Sequence, residues 1–166
     1  MVDRPNHLSA WLSAIEQKHT ADIILGLERI TVIAEQLKLT HFDCPVITVA
    51  GTNGKGSTVA LLQQLYFTAG YRVGACFSPH LHHFTERVMI NNQPVSEAAL
   101  CQAFGAIANA SMHCQLTFFE FITLAALWLF KKNALDVVIL EVGLGGRLDA
   151  VNCVENTVAI LTQVAL

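Results

Sequence analysis

The sequence predicts an α/β domain: a mainly parallel sheet with helices on both faces. Three observations predict it. The runs VITVA, LDVVILEV and TVAILTQV are apolar almost throughout, helical patterns lie between them, and the first run opens directly into a glycine-rich loop. Strands without polar alternation are buried on both faces, and intervening helices supply the cover. The chain has 166 residues, room for one domain that buries roughly 70% of its unfolded surface.

Each element has its own signal. Two helical patterns open the chain, near His7 to Lys18 and near Asp22 to Leu37. In the second, Ile23, Leu27, Ile30, Ile33, Ala34 and Leu37 recur at helical spacing. Pro45 ends any helix and introduces the strand VITVA. After the glycine loop, Ser57 to Ala69 reads as a helix stopped by Gly70, and YRVGACFS as the next strand. PHLHHFTERVMINNQPV has turn chemistry at Asn91 and Asn92 and no long period, so it is a loop or short hairpin. Ser96 is the N-cap of a helix through about Ala110, with Glu97 in its first turn. Thr117 and Glu120 have capping-box spacing before FITLAALWLFKK, whose Lys131 and Lys132 suit a helix C-terminus. The strand LDVVILEV, the turn GLGG and the strand TVAILTQV complete the order. No internal repeat or low-complexity segment interrupts it.

Bulk properties narrow the function. A formal charge of −3 and a pI near 6.1 argue against a nucleic-acid or anionic-membrane surface, both of which need clustered Lys and Arg. Small molecules are the expected partners. Five cysteines, widely spaced and without a CxxC, give neither a disulfide framework nor a zinc site. A reducing cytoplasm fits them. The most apolar helix candidate, FFEFITLAALWLF, has 13 residues and contains Glu120, against the roughly 20 needed to cross a bilayer. It reads as a core helix. At 53% hydrophobic, 14% charged and mean hydropathy +0.47, the chain is nevertheless more apolar than the usual soluble domain. NTVAILTQVAL reads as a buried strand, and the expectation is an N-terminal portion of a longer protein whose remainder covers apolar surface.

The loop AGTNGKGST carries the chemistry. Gly51, Gly54 and Gly56 let successive N–H groups converge on an anion at a helix N-terminus, Lys55 adds a mobile positive charge, and Ser57 and Thr58 add hydroxyls. A nucleotide triphosphate needs that combination. The match to G-x-x-x-x-G-K-[ST] is imperfect: Val49 stands at the first glycine, and Gly56 at the metal-binding hydroxyl. A tight turn is the plain alternative. Glu141 ends an apolar strand at the carboxyl edge of the sheet, where ligands of open α/β sheets bind. It reads either as a metal-coordinating acid or as a surface or capping glutamate, and the glycine loop favours the metal.

Four stretches in order and register, AGTNGKGST, FSPHLHHFTERVMINNQPVSE, TFFEFITLAAL and LEVGLGGRLDAVN, resemble the dihydrofolate synthase/folylpolyglutamate synthase family of the Mur ligase superfamily. The resemblance covers about residues 22 to 160. It implies the P-loop NTPase-like central domain of a Mur ligase, truncated here, with residues 1–166 forming an ATP-binding domain and a glutamate-binding domain absent. The implied ligands are ATP and Mg²⁺. Residues matching Thr52, Asn53, Gly54, Lys55, Gly56 and Ser57 hold ATP phosphates, with Lys55 catalytic. Ser78 and Glu141 are implied to bind Mg²⁺, so the hydroxyl comes from Ser78 rather than from the residue after the lysine.

The segment ADIILGLERI resembles the family's pteroate-binding stretch, which implies that Asp22, Ile23, Ile24 and Leu25 line a pterin pocket. Thr117, Phe118, Phe119 and Glu120, with Leu148, Asp149 and Ala150, are implied to complete it. On their own, Phe118 and Phe119 read more simply as core, Thr117 and Glu120 as caps, and Arg147 with Asp149 as a turn-stabilising pair. His80, His82 and His83 read as a solvated or substrate-contacting segment rather than a metal site.

The implied activity is ATP-driven ligation of L-glutamate to dihydropteroate and to reduced folates through an acyl phosphate. The implied enzyme is a cytoplasmic monomer without nucleic-acid or membrane partners, and inactive as residues 1–166 alone. Alternatives are another P-loop hydrolase or kinase, another Mur-type ligase, or a non-catalytic nucleotide-binding module. A GTPase would carry N-K-x-D, and the nearest stretch, NALD, lacks the lysine.

Overall fold

The computed structural model describes Pro5, residues 7–18 and residues 26–165. Helix α1 spans Leu8–Lys18 and α2 Glu28–Gln36. The front of the second expected helix, with Asp22 to Leu25, lies outside the described residues. Strand β1 (Val46–Ala50) leads into α3 (Lys55–Thr68), then β2 (Val73–Cys76). The segment expected as a loop or short hairpin folds into a 3-10 turn, Phe84–Arg87, and a small hairpin of β3 (Val88–Ile90) and β4 (Gln93–Pro94). Asn91 and Asn92 form its tip with positive φ, a conformation asparagine tolerates better than most residues. Helices α4 (Glu97–Ala110) and α5 (Phe118–Lys132), strand β5 (Val137–Glu141), a 3-10 turn at Ala150–Cys153 and strand β6 (Val158–Leu161) follow.

The sheet order is β4-β3-β2-β5-β1-β6. The four strands β2, β5, β1 and β6 run parallel, while β3 and β4 pair antiparallel at one edge. Alternation along the strands divides the core between two faces. Ile47, Val49, Ala75, Val137 and Ile139 meet α3 through Val59. Val46, Val138 and Leu140 face the larger cluster built with α1, α2, α4 and α5. As expected, helices cover both faces.

Two predicted caps form. The Ser96 hydroxyl accepts from Ala99 N–H, and Thr117 with Glu120 makes the reciprocal capping box. One expectation is overturned: the last strand is not buried. Among the described residues β6 pairs only with β1, at the sheet edge, and Val158 and Leu161 are 46% and 68% exposed. An apolar sequence fixes a strand's preference to pair, but its place in the sheet sets its cover.

Candidate functional site

The site gathers at the carboxyl ends of β1, β2 and β5. Helix α3 starts at Lys55, two residues earlier than the sequence predicts, because Gly54 takes the left-handed conformation (φ 83°) and serves as its N-cap. No side chain caps this end, so the first-turn N–H groups point outward with the positive end of the helix dipole. Lys55 Nζ lies 2.8 Å from the Gly51 carbonyl and 3.3 Å from that of Thr52. The ammonium is thereby held over the loop. The Thr58 hydroxyl donates to the Gly54 carbonyl at 2.8 Å. Ser57 is exposed at the mouth of the loop.

The acid sits across the loop. Glu141 is buried, and a Cβ added at Gly56 would stand 3.5 Å from its Oε1. A serine or threonine there would put its side chain between the loop and the carboxylate, and glycine keeps that space open. The Ser78 N–H donates to Glu141 Oε2 at 2.9 Å, joining the ends of β2 and β5. Burial pushes the Glu141 carboxyl up, partly offset by that N–H and by the Lys55 charge. A desolvated carboxylate with open space beside it and a serine at hand fits a hard, oxygen-seeking divalent cation. Among the described residues no three His, Cys, Asp or Glu side chains converge on one point. A cation here would therefore complete its shell with phosphate and water, as Mg²⁺ commonly does.

Beside the loop opens a cleft of about 590 Å³. Thr48, Thr52 and Lys55 line one side, and the glycine turn with Arg147 the other. The buried Thr48 hydroxyl has no hydrogen-bond partner among the described residues. The turn is built by Asp149, whose carboxylate accepts from Leu144 N–H (2.8 Å) and Val151 N–H (3.1 Å). Asp149 therefore braces the turn through backbone amides, not through the Arg147 pair that the sequence left open. Burial pushes its carboxyl up, against the lowering effect of those amides.

Of the residues expected around the pterin, Asp22 to Leu25 lie outside the described residues. Of the other two segments, the first meets the glycine turn that leads to the second. A Cβ on Gly143 would stand 2.5 Å from the Phe119 ring, so that ring packs directly on the glycine turn. Phe118 and Phe119 are both half-buried against the larger core. Glu120 is buried, with Thr117 N–H 2.6 Å and Arg29 Nη2 3.0 Å from its carboxylate. Ala150 is buried and Leu148 exposed.

The histidine segment is held by Glu86, which accepts from the N–H groups of Leu81, His82 and His83. Those bonds hold its carboxyl down at about 2. His80 Nδ1 accepts from Arg87 Nε at 2.9 Å. The segment is thus a hydrogen-bonded loop.

Sequence reasoning missed Thr48, Thr162 and Gln163. Thr48 left a signal, being the polar residue of VITVA. The other two left none, because their partners lie more than a hundred residues upstream.

No family model matches the chain. Among curated proteins, the dihydrofolate synthase/folylpolyglutamate synthase of Escherichia coli (strain K12) is 50% identical over 159 residues, covering 96% of this chain and 38% of that protein. The E. coli FolC structure in complex with DHPP and ADP superposes with a TM-score of 0.96 at 48% identity, covering 99% of this chain and 40% of that one. A bifunctional folylpolyglutamate synthase/dihydrofolate synthase with Mn, AMPPNP and L-glutamate bound gives 0.93 at 48% identity, covering 100% and 40%. The chain thus spans about two-fifths of the length of the relatives it matches. At half identity over nearly its whole length, and on the same backbone, the chain is similar to about two-fifths of a dihydrofolate synthase/folylpolyglutamate synthase.

Proposed function

We propose that residues 1–166 are the nucleotide-binding part of an ATP-dependent carboxylate–amine ligase that joins L-glutamate to dihydropteroate and to reduced folates. One observation carries the reading: an uncapped helix N-terminus, a lysine and a buried acid converge around a loop kept open by Gly56. Relatives solved with ADP, or with AMPPNP and Mn, support ATP and a divalent cation as ligands.

The chemistry follows from the leaving group. A carboxylate resists attack because oxide would have to leave; its oxygen therefore takes the γ-phosphoryl group, releasing ADP and giving an acyl phosphate. The glutamate amine then adds to that carbonyl, phosphate departs, and the nitrogen loses its extra proton. In the first step the chain's work is electrostatic. The first-turn amides of α3 and the loop hold the phosphates in line, and Lys55 offsets charge on the transferring group. Glu141 and Ser78 would hold the divalent cation, which when bound offsets further phosphate charge. Phe119 on the glycine turn gives the pterin ring a flat apolar neighbour, with residues 148–150 beside it. The enzyme works in the cytoplasm as a monomer, with its glutamate site carried outside residues 1–166.

The test is ADP release by the full-length protein with Mg²⁺, L-glutamate and dihydropteroate, repeated with a reduced folate. Release with both establishes the two activities. Lys55→Ala should lower turnover by about 100-fold or more with little change in melting temperature. Parental turnover in that variant would refute the loop assignment.

A further inference from the structure

We propose that Thr162 is a positioning residue for the phosphate loop, holding it so that Thr52 presents its hydroxyl, not its amide, to the nucleotide. This rests on the phosphate-loop reading above and goes beyond it. Thr162 follows β6, and its N–H extends the β1–β6 ladder by donating to the Ala50 carbonyl at 2.9 Å. Its hydroxyl lies 2.8 Å from the Asn53 carbonyl and 3.0 Å from that of Ala50. One proton thus serves two carbonyls, one at the end of β1 and one inside the loop. Gly51 passes directly beneath with φ 139°, where any Cβ would overlap the Thr162 hydroxyl.

The next residues fix Thr52. Its N–H donates to the Gln163 carbonyl at 2.7 Å, so that amide is already engaged and cannot also serve a phosphate. Its hydroxyl oxygen accepts from Ala165 N–H at 3.1 Å. A hydroxyl that accepts one bond still has its proton to donate, and a phosphate oxygen can only accept. Asn53 and Gln163 complete the contact as an antiparallel bridge. Residues 51–53 are therefore set by the segment 162–165, while the helix end from Gly54 onward stays open to the anion. Lys55 shares in this arrangement, because the Gly51 carbonyl that holds its ammonium belongs to the braced part of the loop. Thr162 is only half-buried and lies outside both core clusters, so its hydroxyl bears on the loop more than on overall packing.

The test uses the full-length protein with Thr162→Val, which keeps the shape and loses the donor, and Thr162→Ser, which keeps the hydroxyl. ADP affinity is measured by calorimetry with Mg²⁺, and amide hydrogen exchange of residues 51–57 without nucleotide. Losing the shared hydroxyl hydrogen bond predicts up to about tenfold weaker ADP binding in T162V, with faster exchange at the Thr52 amide. T162S should match the parent in both, and melting should change little. Parental affinity and exchange in T162V would overturn the proposal. Should T162V fold poorly, Thr52→Val keeps the Thr162 hydroxyl bonds and the bond from the position-52 amide to Gln163, and removes the presented hydroxyl together with the bond it accepts from Ala165. It should weaken ADP binding without faster exchange at position 52, and unchanged affinity there would be equally fatal. A parent protein that binds no ADP removes the phosphate-loop reading and this proposal together, whereas a binding parent with an indifferent T162V removes the brace alone.

Discussion

Glu141 is held buried at some expense of stability. Its folded pKa lies above the ordinary 4.5 because desolvation outweighs the help from the Ser78 amide and Lys55. The folded state therefore holds the proton more tightly than the unfolded state. Stability is greatest below the ordinary value, and falls as pH rises through the window between that value and the raised one. At pH 7 the nucleotide-free protein carries the full penalty. Glu141→Gln removes the charge, so its melting temperature should exceed the parent's at pH 7, and the difference should vanish near pH 4. Calorimetry at the two pH values checks this, and the same variant should lose cation-dependent ADP release. No gain at pH 7 would mean that the carboxylate is already fully compensated. The acid itself was legible in the sequence as the end of an apolar strand. Its partner was less so: the Ser78 amide and the space left by Gly56 belong to chain segments that only folding brings together.

At the scale of elements, the helix ends are where sequence and structure agree best. Ser96 and Thr117 cap as predicted, because a cap is decided within four residues. Thr117→Ala should cost about 1 kcal/mol, lowering the melting temperature by about 2–4 °C, and thermal denaturation at neutral pH reads it directly. A larger fall would indicate that the Glu120 carboxylate, shared between the cap and Arg29, had shifted as well. Strand β1 also matches its predicted bounds, since Pro45 and Gly51 delimit it. Other boundaries were not local matters. α3 begins early because Gly54 turns left-handed under tertiary constraint, and Tyr71 and Arg72 drop out of the second strand. Arg72 instead pairs with Asp136 at the base of β5. The burial expected of β6 failed for the same reason: Val158 and Leu161 read as interior residues, but pairing order places them at an edge.

The whole sheet has two unlike margins. At one, β4 is two residues long and contains Pro94, which offers no N–H and discourages further pairing. At the other, β6 presents an apolar strand with a free edge among the described residues. Residues 1–166 alone should therefore self-associate as concentration rises, and Leu161→Lys should suppress it. Light scattering over a concentration series decides, and equal scattering by the two would place the contact elsewhere. The strand order has one more result, in time rather than in space. β1 sits between β5 and β6, so residues 46–50 find their partners only when residues 137–141 and 158–161 exist. At roughly 5–20 residues per second of synthesis, the first sheet strand waits on the order of ten seconds for a neighbour. Through that interval its apolar side chains are open to chaperones or to other nascent chains. Within residues 1–166, the loop encoded near the beginning is among the last parts to take shape.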